Sequence, residues 1–126
     1  MNQLLLDLEN WIEDVNDSEK LILVEGKSDK KALRNLGVSN MIVCCNKQPK
    51  YQIIEFIIKT KKEVIILTDL DKEGKKLYGR FNSDFQHFGV KVDRKFREFL
   101  QKNTTLDQIE GISTYYDHLE RKSSLG

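Results

Sequence analysis

The chain has 126 residues, enough for one domain with its own core and too few for two comparable ones. Apolar residues make up 39% and charged residues 33%, the balance of a globular protein, and no apolar run approaches the ~20 residues that cross a bilayer. Net charge is only +1, but residues 1–20 carry six acids against one lysine, whereas residues 27–62 carry nine bases against Asp29 and Glu55, which argues for a polyanion near the middle of the chain.

The opening MNQLLLDLENWIED lacks a basic leader region and is expected to be mature protein in a cytoplasmic compartment. Over residues 2–15, Leu4, Leu5, Leu8, Trp11, Ile12 and Val15 recur at helical spacing, and Asp17 and Ser18 break the pattern. Trp11 is expected to anchor this helix in the core. LILV at 21–24 is a short apolar run of the kind found in buried parallel strands. Glu25 and Gly26 then turn the chain, Ser28 or Asp29 can cap a helix, and Gly37 can end it. MIVC at 41–44 is a second strand. Its Cys44 and Cys45 are adjacent, cannot bridge without strain, and are expected to be free thiols. Pro49 opens a helix whose apolar face is Ile53, Ile54, Ile57 and Ile58. VIILT at 64–68 is the most β-branched segment and the third strand. After DLDKEG a helix is expected over about 74–85, and GVKV at 89–92 reads as a fourth strand. Helices are expected at 93–102, with Phe96, Phe99 and Leu100 inward, and at 106–120, with a frayed tail RKSSLG.

Short apolar strands alternating with amphipathic helices predict an α/β fold: a parallel sheet of about four strands with helices on both faces. Residues 1–19 form a helix packed on the domain, 20–92 the core, and 93–126 a helical extension of it. The carboxyl ends of such strands gather ligands. Glu25 follows the first strand, and Asp69 and Asp71 follow the third, so the topology brings three acids to one edge. Two residues apart, Asp69 and Asp71 can face one ion while Leu70 turns to the core. Carboxylates without histidine or thiol partners are hard ligands that suit Mg²⁺, with Mn²⁺ as substitute. Glu73 can join them or cap the next helix. Gly74 lets a backbone approach closely, and the helix start behind it offers N–H groups to phosphate; Gly26 and Lys27 do the same after Glu25. His87 and His118 have no partner at metal-ligand spacing, and nothing activates Tyr115 or Tyr116 as nucleophiles.

LILVEGKSDKKAL and VIILTDLDKEGKKL together resemble the two motifs of the Toprim domain, shared by topoisomerases, primases and the ribonuclease that matures 5S ribosomal RNA. Glu25-Gly26 matches the glutamate–glycine after the first strand, Asp69-Leu70-Asp71 the Asp-x-Asp after a later one, and Glu73-Gly74 extends the match. The later segment VDRKFREFLQKNTTLDQIEGI is similar to small stand-alone Toprim proteins of archaeal type. The resemblance implies a compact Rossmann-like core and phosphodiester chemistry on RNA or DNA. Asp69 and Asp71 would hold the metal, and Glu25 would be a general acid/base or share a second ion. Lys75, Arg80 and the cluster Lys91, Arg94, Lys95 and Arg97 would contact backbone phosphates. The accessory domains of the larger relatives do not fit into this length. The leading expectation is therefore a small Mg²⁺- or Mn²⁺-dependent nuclease. The alternatives are a non-catalytic nucleic-acid-binding or adaptor module and a nucleotidyl or phosphoryl transferase within a larger complex. A protein partner is compatible with this, as is a monomer or weak homodimer; a membrane partner is not expected.

Overall fold

A computed structural model describes residues 2–125 of the chain. Its elements are α1 (Gln3–Ser18), β1 (Leu21–Val24), α2 (Lys27–Leu36), β2 (Ile42–Cys44), α3 (Lys50–Thr60), β3 (Val64–Leu67), α4 (Lys72–His87), α5 (Lys95–Asn103) and α6 (Ile112–Leu125). Single 3₁₀ turns occupy Cys45–Lys47 and Ile109–Gly111. The strands form a parallel three-stranded sheet in the order β2-β1-β3, with Ile22 opposite Ile42 and Ile65.

Side chains of alternate residues leave a strand on opposite faces, and both faces here are covered. Ile22, Val24, Ile65 and Leu67 pack with Leu8, Trp11, Leu33, Phe96, Leu100, Ile109 and Ile112 from α1, α2, α5 and the C-terminal part. Leu21, Leu23, Val64 and Ile66 pack with Ile53, Ile57, Phe81 and Phe85 from α3 and α4. The molecule is thus a three-layer α/β/α stack in which α2, after β1, and α4, after β3, leave for opposite faces. Neighbouring strands whose connections part in this way open a crevice at their carboxyl ends, the place where α/β sheets bind ligands.

The expected fourth strand does not form. Gly89 takes a left-handed turn with φ 74°, and the only pairing that follows is an isolated bridge from Val92 to Val64. The Val64 N–H donates to Lys91 O at 2.9 Å, and the Val64 carbonyl accepts from Asp93 N–H at 2.8 Å. One residue of ladder therefore closes the start of β3 before α5 begins. Other boundaries also move. Asp17 and Ser18 complete α1, which ends at Glu19 in the left-handed region. The expected helix over 106–120 is a 3₁₀ turn followed by α6, and α6 continues through the expected frayed tail to Leu125, Gly126 lying outside the described residues. Ile58, expected on the buried face of α3, is 38% exposed. Cys44 and Cys45 are free, as expected. Trp11 is buried, donates its indole N–H to Phe96 O at 2.9 Å, and meets the Phe96 ring edge-on. No helix of the described residues is long and apolar enough to cross a membrane.

Candidate functional site

Glu25 stands one residue beyond β1, and Asp69 and Asp71 stand two and four beyond β3, on either side of the crevice. Backbone N–H groups hold one oxygen of each carboxylate. Glu25 Oε2 accepts from Asp69 N–H at 2.8 Å, Asp69 Oδ1 from Ile109 N–H at 3.0 Å, and Asp71 Oδ1 from Gly74 N–H at 2.8 Å. The second oxygen of each has no hydrogen-bond partner, and none of the three acids has an ion pair among the described residues. Each side chain is thereby oriented and still keeps a donor for a ligand.

A fourth acid belongs to the group. Asp29 is only 6% exposed and accepts from Gly26 N–H at 2.9 Å, reaching back from the first turn of α2 to the residue that caps it. Neither Ser28 nor Asp29 is therefore the cap residue itself. Burial raises the proton affinity of Glu25, the hydrogen bond from Asp69 N–H opposes this, and the charges of Asp69, Asp29 and Asp71 raise it further. Asp29 is shifted upward in the same way, by burial first and by Asp69 and Glu110 as well. Cys45, whose thiol lies 4.0 Å from Glu25 O, is pushed up to about 11 by burial and by Glu25, so it is a protonated, inert thiol at neutral pH.

Gly74 packs where only glycine fits: a Cβ there would overlap the backbone carbonyl of Asp69. Its N–H goes to Asp71 and its carbonyl accepts from Thr68 Oγ1 at 2.7 Å, so the residue closes the β3–α4 turn. This corrects the expectation of a phosphate contact at Gly74, because its N–H already serves to cap α4. The Gly26 N–H is likewise taken, by Asp29.

Arg97 is the largest correction. Expected as an exposed phosphate contact, it is 2% exposed and lies beneath the acidic edge. It donates to Thr68 O at 2.6 Å, Asp69 O at 2.8 Å and Ile66 O at 3.4 Å, and its guanidinium lies 4.7 Å over the Tyr78 ring. Its Nε is buried without a partner. Burial lowers its proton affinity, while Tyr78, Asp69 and Glu25 support the charge. The acids therefore share a buried cation that pairs with carbonyls rather than with any one of them.

The other expected residues are dispersed. Glu73 is exposed and lies 3.7 Å from Lys76. Lys27 and Lys75 are exposed on the first turns of α2 and α4 beside the edge. Arg80 is exposed nine residues past Asp71, ~13 Å along the helix axis. Arg94 starts α5 next to Asp93, at the amino end of β3, ~13 Å of strand away from the acids. Asp29 is not among the motif acids, and the stretch 105–111 and the interior place of Arg97 lie outside the motifs. Asp29 was legible as the third helical residue after Gly26, the position from which an acid reaches back to the cap.

Among the described residues no three His, Cys, Asp or Glu side chains surround one point as a finished ion cage. The donors nonetheless fit Mg²⁺ or Mn²⁺ in kind: they are carboxylate oxygens, free on one side, at a dense negative edge. Mg²⁺ commonly binds one or two carboxylates and completes its shell with water and ligand phosphates.

Comparison with known proteins bears on the family and the fold. The family model described as the Toprim domain matches residues 20–99. A UPF0292 protein of Methanocaldococcus jannaschii is 36% identical over 104 residues, covering 80% of this chain and 81% of its own length. One of Pyrococcus abyssi is 34% identical, covering 84% and 79%. A solved structure of an Aquifex aeolicus protein, 30% identical, superposes with a TM-score of 0.75 over 82% of this chain and 95% of that one.

Proposed function

This chain is a Toprim-family protein, and on that premise we propose that it is a nucleic-acid-binding module that takes up a divalent ion together with a phosphodiester at its acidic edge. One observation carries the reading: three carboxylates on one edge are each fixed through one oxygen, with the other free, yet they do not form a cage by themselves. Asp69 and Asp71 are the residues to hold the ion, with Glu25 beside them. When bound, the ion neutralises phosphate charge and polarises what it touches. Phosphate is the natural completion of so partial a ligand set. Arg97, from below, keeps the turn that bears Asp69 in place.

A second reading, a metal-dependent nuclease, is favoured by Glu25. Its proton affinity is raised and its side chain is oriented by the Asp69 N–H, properties that suit a general acid/base. Labelled RNA and DNA panels incubated with Mn²⁺ or with chelator separate the two. Binding that Mn²⁺ strengthens, that Asp69→Asn loses, and that leaves substrates intact is the expected result. Cleavage that requires Mn²⁺ and disappears in Asp69→Asn replaces the binding module with the nuclease. No binding under any condition removes both.

A further inference from the structure

A cleft of about 850 Å³ opens beside the acidic edge, between the first turn of α4 and the stretch that precedes α6. Its size is that of pockets taking small organic ligands. Asp71, Lys72 and Lys75 line it from α4, Thr105 and Gln108 from the later stretch, and Tyr115 from α6. Lys72 and Lys75 are three residues apart and share a helix face. Both are exposed and neither has an ion pair among the described residues, whereas Lys76 beside them lies 3.7 Å from Glu73. Tyr115 is half-buried against the core, which steadies its ring. The far wall is tied to the acidic edge by Leu70 N–H to Asp107 O at 2.7 Å and by Ile109 N–H to Asp69 Oδ1 at 3.0 Å. That wall and Tyr115 lie beyond residue 99, where the family match ends.

We infer that this cleft seats one nucleotide of an unpaired strand, next to the phosphate held at the acidic edge, with its base against Tyr115 and its following phosphate on Lys72 and Lys75. The inference rests on the proposed reading of that edge. Lysines are point charges that bind phosphate without reading sequence. An aromatic ring accepts the face of any base. Asp107 and Glu110 on the far side repel phosphate, so the backbone belongs on the lysine side and the base on the other. A duplex keeps its base faces stacked inside, so only a single strand can offer one to Tyr115.

The test uses the full chain with Mn²⁺ and single-stranded DNA and RNA oligonucleotides of about ten nucleotides carrying 2-aminopurine. Lys72→Ala with Lys75→Ala should reduce the salt slope of log K by roughly 0.7 in total, the contribution of the one phosphate they share. Tyr115→Ala should weaken binding about five-fold or more and restore 2-aminopurine emission, while Tyr115→Phe keeps both near wild type. The lysines are exposed, so their variant folds whatever the tyrosine replacement does. Wild-type binding with unchanged affinity and slope in the lysine variant overturns the cleft and leaves the binding module standing. Absence of wild-type binding overturns the two together.

Discussion

Arg97 and Glu25 show opposite fates of charge in one small volume. Arg97 replaces water around the Thr68 and Asp69 carbonyl oxygens, so Arg97→Met should strand both at a cost of about 2–6 kcal/mol, each unsatisfied buried group being worth roughly 1–3. Urea melts in the presence of chelator measure this, and a change below about 1 kcal/mol would show that the carbonyls find water instead. Glu25 binds its proton more tightly in the folded chain than its ordinary value of 4.5 allows in the unfolded one. Between those two values the native state carries more protons, so stability falls as pH rises through the window and stays lower above it. Glu25→Gln lacks that loss. The stability of wild type relative to Glu25→Gln should therefore decline from acid pH towards neutrality, and a difference that is flat or rises would disprove that burial and the neighbouring acids raise the proton affinity of Glu25. Glu25, Asp69 and Asp71 were legible in sequence because each closely follows a wholly apolar run. Arg97 was not. In VDRKFREFL it reads as one of a basic series, and its burial depends on carbonyls that lie about thirty residues earlier.

Between β3 and α4, Asp71 has two roles that different substitutions separate. As the N-cap it accepts from Gly74 N–H, and in the proposed function its other oxygen is offered to the ion. Asparagine caps as well as aspartate does, so Asp71→Asn should be about as stable as wild type in chelator, helped by the removal of one repelling charge. Asp71→Ala loses the cap and should fall by about 1 kcal/mol. With Mn²⁺ added, both variants should gain much less melting temperature than wild type. An equal metal-induced shift in Asp71→Asn would mean that Asp71 is not a ligand. The same turn sets the helix start: the pattern of apolar residues begins later than the cap, so the pattern alone points to a start near 74 whereas α4 begins at Lys72. The absent fourth strand has a comparable cause. GVKV has the apolar alternation of a strand, but it opens on the positive-φ Gly89 and its one strand bridge is that of Val92 to Val64.

Taken whole, the layering was legible and the sidedness was not. β1 and β3 are buried on both faces, and a fully apolar run has no period from which to tell which helix covers which face. Nor did sequence show that the C-terminal stretch is part of the acidic edge, since its two backbone ties there are long-range bonds with no local signature. The lone tryptophan gives the protein a built-in optical gauge. Trp11, on α1, is buried against α5, where its indole N–H donates to Phe96 O and its ring meets the Phe96 ring edge-on. All of its emission therefore comes from a single environment, bluer than that of an indole in water. A red shift reports the departure of α1 from α5. The groove on which Trp11 borders and the cleft beside Asp71 share no lining residue. Ligand titrations at the acidic edge should accordingly leave the colour of this fluorophore unchanged unless the helices themselves move.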